Sequence, residues 1–160
     1  MTRTWEKITI ALLAALVVVN LDAAISISVT GSWSRTISQT DLQSQTAGSD
    51  LTAAYESATN QAVIGVSGAT LLNWRVSVKR TDTSWNANFH LYVKRTGNGS
   101  GVGSISGGTA YQEITTSNVS FFTGSYNRSG INAQQKLDGV SCQIPAASYT
   151  TTIVYTVTQI

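Results

Sequence analysis

The segment from Ala24 to Trp33 alternates apolar and polar residues without a break, and it reads A-I-S-I-S-V-T-G-S-W. Successive side chains of a β-strand point to opposite faces, so this pattern predicts a half-buried strand. The positions that share its apolar phase are Ile25, Ile27, Val29, Gly31 and Trp33. A strand at a free chain end can pair within its own sheet or add itself to the sheet of a neighbouring molecule.

Residues 1–23 have the pattern of a secretory signal peptide. Arg3 and Lys7 lie near the start, and the uncharged run from Ile8 to Val19 follows them. That run is too short to cross a hydrocarbon core of about 30 Å, and Ala23 suits the small-residue position before a cleavage site. An uncleaved anchor is the alternative. We expect residues 24–160 to be secreted, extracellular or on the cell surface, with no stable membrane insertion after cleavage.

Composition narrows the chemistry that the exported chain can perform. Charged residues make up 11% of the chain and the formal net charge is +2, which gives no electrostatic argument for nucleic acid. With one cysteine and one histidine, neither an internal disulfide nor a His/Cys metal cluster can form within one chain. We interpret Cys142 as a small buried apolar residue, with an intermolecular disulfide as the alternative, and we expect no cofactor.

Two consecutive segments repeat one pattern: Asn73–Thr81 (N-W-R-V-S-V-K-R-T) and Asn88–Thr96 (N-F-H-L-Y-V-K-R-T). Each is predicted to be a strand with its aromatic and aliphatic residues on one face. The short connection between them favours an antiparallel pair.

Further strands are predicted over residues 61–67, 110–115, 118–123, 131–137 and 148–158, and a mobile Gly/Ser-rich loop over 97–108. Seven or eight short strands separated by turn signals indicate one antiparallel β-sandwich spanning residues 24–160. We expect an immunoglobulin-like topology, with a jelly roll as the alternative.

The polar positions of the repeated strands suggest a second surface. If the strands pair, they place a basic group on one outward face: Arg75, Lys79, His90, Tyr92 and Lys94. With Trp85 exposed in the turn between them, this face could bind acidic glycans or other polyanions. A merely solvated face is the alternative, because cationic side chains also discourage unwanted strand pairing.

No residue pattern indicates catalysis. The acidic residues after position 23 are scattered, no nucleophile elbow accompanies His90, and the Gly-rich loop lacks the lysine of a phosphate-binding loop. We therefore predict no catalytic residue. Asn98, Asn118 and Asn127 match the N-glycosylation pattern, although such matches arise by chance in a chain this rich in Asn and Ser.

The segment Ile144–Thr158 (I-P-A-A-S-Y-T-T-T-I-V-Y-T-V-T) resembles the terminal strand of secreted spore-coat-U-like and chaperone-usher-type pilin domains. In those proteins an incomplete immunoglobulin-like sandwich is completed by the N-terminal strand of a neighbour. The resemblance implies donor-strand complementation here, with residues 24–33 as donor and a secretion chaperone or usher as a further partner. Ala147 stands where the family often has glycine, and the family's common disulfide cannot form.

We therefore expect a non-enzymatic structural subunit of an extracellular filament, pilus (fimbrium) or surface coat, whose main partner is a second copy of itself. The alternative is a monomeric secreted binding module or adhesin that recognises glycans or polyanions.

Overall fold

The structure, a computed structural model, describes residues 24–46 and 48–160; the predicted signal peptide lies outside them. Ten strands and one short 3-10 turn (Gln39–Asp41) make up its regular structure. The strands are β1 Ser26–Thr30, β2 Ala54–Glu56, β3 Ala62–Ser67, β4 Asn73–Ser84, β5 His90–Arg95, β6 Ile105–Gly107, β7 Gln112–Glu113, β8 Val119–Ser125, β9 Arg128–Asp138 and β10 Thr150–Gln159.

These strands form two antiparallel sheets, which confirms the predicted β-sandwich. The six-stranded sheet has the order β1-β3-β9-β5-β7, and β2 pairs with β9 beyond the end of β3. The four-stranded sheet has the order β10-β4-β8-β6. From β3 to β10, successive strands alternate between the two sheets. This alternation is the jelly-roll arrangement, whereas an immunoglobulin-like sandwich keeps pairs of consecutive strands in one sheet. The expected immunoglobulin-like topology is therefore wrong, and the jelly-roll alternative describes the strand order.

The alternating residues of the strands meet between the sheets as the main core. Trp74, Val76 and Val78 of β4 are fully buried, and they pack against Ile64 of β3 and Val93 of β5. The predicted inward phases of the two repeated segments are therefore confirmed. Burying such side chains stabilises the fold by about 1.5 to 3 kcal/mol each, which makes this interior the main source of stability in a chain without an internal disulfide.

A second, smaller cluster closes one end of the sandwich. Tyr55, Phe89 and Val140 are its buried members, and Trp33 and Trp85 contact both clusters. Phe89 packs edge-to-face against Trp85 and Tyr149, with ring centroids 5.4 and 5.0 Å apart. This cluster joins the chain after β1 to the segment before β10.

The predicted pairing of the two repeated strands is wrong. β4 lies between β10 and β8 in the four-stranded sheet, and β5 lies between β9 and β7 in the six-stranded sheet. Their apolar faces meet across the core. The two strands therefore have the same sequence pattern because each buries one face in the core, and not because they are hydrogen-bonded to each other. Two short strands, β2 and β6, were not predicted, because three-residue strands carry too little alternation to be recognised.

Candidate assembly interface

The N-terminal strand β1 lies at the edge of the six-stranded sheet of its own chain. It pairs antiparallel with β3 alone, in a register that runs from Ser26 opposite Ser67 to Thr30 opposite Val63. The Ser26 and Ser67 hydroxyl oxygens are 2.8 Å apart and hydrogen-bonded. The other side of β1 has no strand partner among the described residues, so one ladder and one apolar face hold β1 in place.

The apolar face of β1 is only partly buried. Ile25 and Ile27 pack against the main core as half-buried side chains, while Val29 remains 39% exposed. Trp33, beyond the end of the strand, lies between the two apolar clusters. A short edge strand with little buried area is typical of the segments that open at low free-energy cost. β1 therefore has the features of a strand that detaches at low free-energy cost.

Gly31 ends β1 at a position that requires glycine. Its φ of +114° lies in a region that L side chains rarely adopt, and a Cβ there would overlap the backbone carbonyl oxygen of Gln61. The Gln61 side-chain amide donates a hydrogen bond to the carbonyl of Ser32. This bond holds the two segments of the chain together just beyond Gly31. Gly31 therefore marks a close backbone crossing at the point where β1 leaves β3.

The chain is anchored again a few residues further on. Asp41, which is 6% exposed, accepts hydrogen bonds from the Ser38 backbone N–H at 2.8 Å and from the Arg35 guanidinium. Those two groups hold the pKa of Asp41 below its usual value, the backbone hydrogen bond being the larger cause. Arg35 also lies 5.1 Å from the ring centroid of Tyr55. Residues 31–34 therefore form a connection between a weakly held strand and a fixed turn.

A groove of about 920 Å³ opens beside β1, between residues 29–37 on one wall and residues 144–153 on the other. Its lining is largely apolar and includes Trp33, Ile37, Phe89, Leu137, Tyr149 and Ile153. β1 contacts β10 across this opening, which places both edge strands on the same side of the sandwich. The opposite side ends in β7 and β6, which have two and three residues. The long unpaired edges thus share one side.

The predicted basic face is not a single surface. Arg75 and Lys79 lie on the four-stranded sheet, whereas His90, Tyr92 and Lys94 lie on the six-stranded sheet. The prediction failed because it depended on pairing between β4 and β5. On the six-stranded sheet, two of these side chains contact neighbouring side chains. His90 Nδ1 is 2.7 Å from a Glu113 carboxylate oxygen, and the Lys94 ammonium lies 4.3 Å from the ring centroid of Tyr111.

Two further side chains differ from their predicted environments. Trp85 is half-buried: its indole N–H donates to the Phe89 carbonyl at 3.2 Å, and Arg80 lies 5.1 Å from its ring centroid. It is therefore not an exposed stacking platform. Cys142 is exposed, so its interpretation as a buried apolar residue is wrong. It lies in a turn where its backbone N–H donates to Asp50 at 3.0 Å.

The Gly/Ser-rich segment 97–108, predicted to be mobile, is held by two buried arginines that sequence reasoning did not single out. The guanidinium of Arg128 donates to the carbonyls of Asn98 at 3.0 Å and Gly103 at 2.8 Å, and Arg95 donates to Gly107 at 2.9 Å and to the Asn98 side chain. No local sequence pattern predicts these hydrogen bonds, because donors and acceptors are up to 30 residues apart in the chain.

All three asparagines of the glycosylation patterns, Asn98, Asn118 and Asn127, are exposed. The Asn98 side chain accepts from Arg95, and the Asn127 side chain accepts from the backbone N–H of Ala69 at 2.7 Å.

Within residues 24–46 and 48–160 there is no group of three or more His, Cys, Asp or Glu side chains that could hold a metal ion. The same part of the chain contains no helix that is long and apolar enough to span a membrane. No protein-family model, curated protein or solved structure matches this chain.

Proposed function

We propose that this protein is a secreted, non-enzymatic structural subunit of an extracellular filament or surface coat, and that its subunits are joined by exchange of β1. In the exchange, β1 of one subunit leaves its own β3 and pairs with β3 of the next subunit. The observation that carries this proposal is the position of β1: a terminal edge strand with one ladder, modest burial and a glycine hinge.

The energetics favour exchange over a new contact. The exchanged ladder repeats the hydrogen bonds and apolar contacts of the closed subunit, so the two states differ mainly in hinge strain and in the entropy of association. High local concentration at a cell surface would then favour the joined state. Because each subunit donates one strand and accepts one, the exchange can continue indefinitely and produce a fibre.

Direct pairing of free edges accounts less well for a fibre. The open edges of β1 and β10 lie on the same side of the sandwich, and the opposite side carries only very short edge strands. Two subunits that met through that one side would form a closed pair. Strand exchange avoids this restriction, because β1 can swing away from its own body about Gly31 while Trp33 stays between the two apolar clusters.

The alternative function, an adhesin that binds polyanions or glycans, depended on a single basic face. Its basic residues lie on two different sheets and do not form that face.

A cysteine pair across the β1–β3 ladder distinguishes the closed subunit from the exchanged one. Directly opposite residues of an antiparallel pair have Cα atoms close enough for a disulfide, and both Ser26 and Ser67 are exposed. In a Cys142→Ser background, the double variant Ser26→Cys/Ser67→Cys is exported, collected and oxidised. We expect a ladder of covalent oligomers on a non-reducing gel, and filaments in electron micrographs of the same sample.

The single variant Ser26→Cys in the same background is the matched control, and it should yield no species larger than a dimer. Reduction should remove the ladder without dissolving the filaments. The proposal is wrong if material collected at high density contains only monomers with an internal Ser26→Cys/Ser67→Cys disulfide. Mass spectrometry of the same samples tests export separately, because the predicted mature chain begins at Ala24.

A further inference from the structure

The last strand presents a second free edge, which is longer than that of β1. β10 pairs with β4 on one side and has no strand on the other side among the residues that the structure describes. The Ile160 N–H donates to the Asn73 carbonyl at 3.0 Å, in line with the β10–β4 register. Since backbone groups of a strand alternate between its two neighbours, those of Ile153, Tyr155, Val157 and Gln159 point to the free edge.

This edge lacks the usual protection against pairing. Soluble sandwiches blunt their edge strands with charged side chains, proline, bulges or short length. Here residues 141–160 contain no charged side chain, and Pro145 lies before the strand. The only irregularity in the ladder is a register shift at Thr150/Thr151, at the beginning of the strand. Most of the ten-residue edge is therefore free to accept another strand.

We propose that β10 pairs antiparallel with β10 of a second copy of this chain, so that the two four-stranded sheets become one continuous sheet. This interface is separate from β1 exchange, and it would join two subunits or two filaments side by side. We choose a second copy as the partner for two reasons. The strand carries no charged side chain, so two copies do not repel each other, and the N–H and C=O groups along its free edge are complementary to those of an antiparallel second copy.

The geometry limits the register of this pair. Residues with edge-facing backbone groups must lie opposite one another, so odd-numbered positions pair with odd-numbered positions. The same positions carry the inward side chains Ile153, Tyr155 and Val157, which pack against the core. A two-fold axis perpendicular to the sheet, near Val154 or Tyr155, satisfies both conditions at once. The inner faces of the two copies then stay on the same side of the joined sheet.

The strand sequence suits this arrangement. The exposed side chains of β10 include Thr152, Thr156 and Thr158, and cross-strand threonine pairs are among the favourable pairs of antiparallel sheets. Pairing along one edge buries less area than a standard specific interface, so we expect a dimer that forms and dissociates with concentration.

Hydrogen exchange of individual amides tests this interface in the full exported chain. The N–H groups of residues 153, 155 and 157 face the free edge and should be protected only at high protein concentration. Those of residues 154, 156 and 158 face β4 and should be protected at every concentration. The experiment is run on the oxidised Ser26→Cys/Ser67→Cys monomer in the Cys142→Ser background, where β1 cannot exchange.

A charge variant supplies the second readout by sedimentation. Thr156→Lys removes a cross-strand threonine contact and places two like charges on the exposed face of the joined sheet, so it should weaken the dimer several-fold. Thr109→Lys makes the same substitution at an exposed loop position and should leave the dimer unchanged. The inference is wrong if the three edge amides exchange rapidly at all concentrations, or if the Thr156→Lys variant dimerises as the Thr109→Lys variant does. Neither result would contradict the proposed exchange of β1, because that exchange is tested separately, in protein whose β1 is free to detach.

Discussion

Replacing Gly31 with alanine should loosen β1 selectively. At φ +114° an alanine is strained, and its Cβ would overlap the carbonyl oxygen of Gln61, which belongs to the backbone and cannot rotate away. Backbone strain of this kind costs about 1 to 3 kcal/mol, and relieving the overlap requires a further shift of β1 against β3. The smaller entropy of the unfolded alanine chain returns about 0.4 to 1 kcal/mol. We estimate a net cost of about 3 kcal/mol.

Most of this cost should disappear when β1 detaches, because an alanine at position 31 is strained only while the strand lies on β3. Native-state hydrogen exchange measures the opening directly. Since about 1.4 kcal/mol is a factor of ten, the amides of the β1–β3 ladder should exchange about 100-fold faster in Gly31→Ala. The amides of β4, in the centre of its sheet, should change far less. The variant should also exchange β1 between subunits faster, because the closed strand opens more readily.

Gly48 provides the matched control. Its φ is +91°, yet a Cβ there would have no atom within 4 Å. Gly48→Ala therefore carries backbone strain without the overlap and should leave the exchange of β1 within about threefold of the wild type. The reasoning is refuted if Gly31→Ala leaves β1 exchange unchanged, or if it accelerates β4 as much as β1.

Three further changes test the interior. Gly124→Ala would force a Cβ into the indole of fully buried Trp74 and should destabilise the protein by about 2 to 4 kcal/mol in urea unfolding. Tyr155→Phe should be neutral or stabilising at pH 7, because no residue that the structure describes makes a hydrogen bond of good geometry with the buried hydroxyl. Arg128→Lys keeps the charge but loses the fork that holds three carbonyls, so it should increase proteolysis within residues 97–108.

Each of these has a contrasting measurement. Gly65→Ala, on β3, would meet only the rotatable Ser28 hydroxyl at 2.8 Å and should cost much less than Gly124→Ala. Burial raises the pKa of Tyr155 to about 12, so the unfolded chain loses the phenol proton first and stability falls between about pH 10 and 12. Tyr155→Phe should reduce that alkaline loss. Cleavage outside the loop that rises equally in Arg128→Lys would indicate global unfolding instead.

The alternation of residues determined the strands and their inward faces, because the period of two is a local property of each segment. It correctly predicted β3, β4, β5, β8, β9 and β10 to within a few residues, and it placed Trp74 and Leu91 in the core. The two-sheet architecture followed from the number of short strands and the turn signals between them. These conclusions need no knowledge of which strand lies beside which.

Tertiary structure decided which strands pair, how far the edge strands are buried and what surrounds individual side chains. β4 and β5 share a pattern yet lie in different sheets, so the predicted basic face was divided. Nothing local distinguishes an edge strand from a central one, and the alternation of β1 says nothing about the single ladder that holds it. The sequence therefore determined which faces are buried, whereas the long-range order of the strands decided which edges remain free.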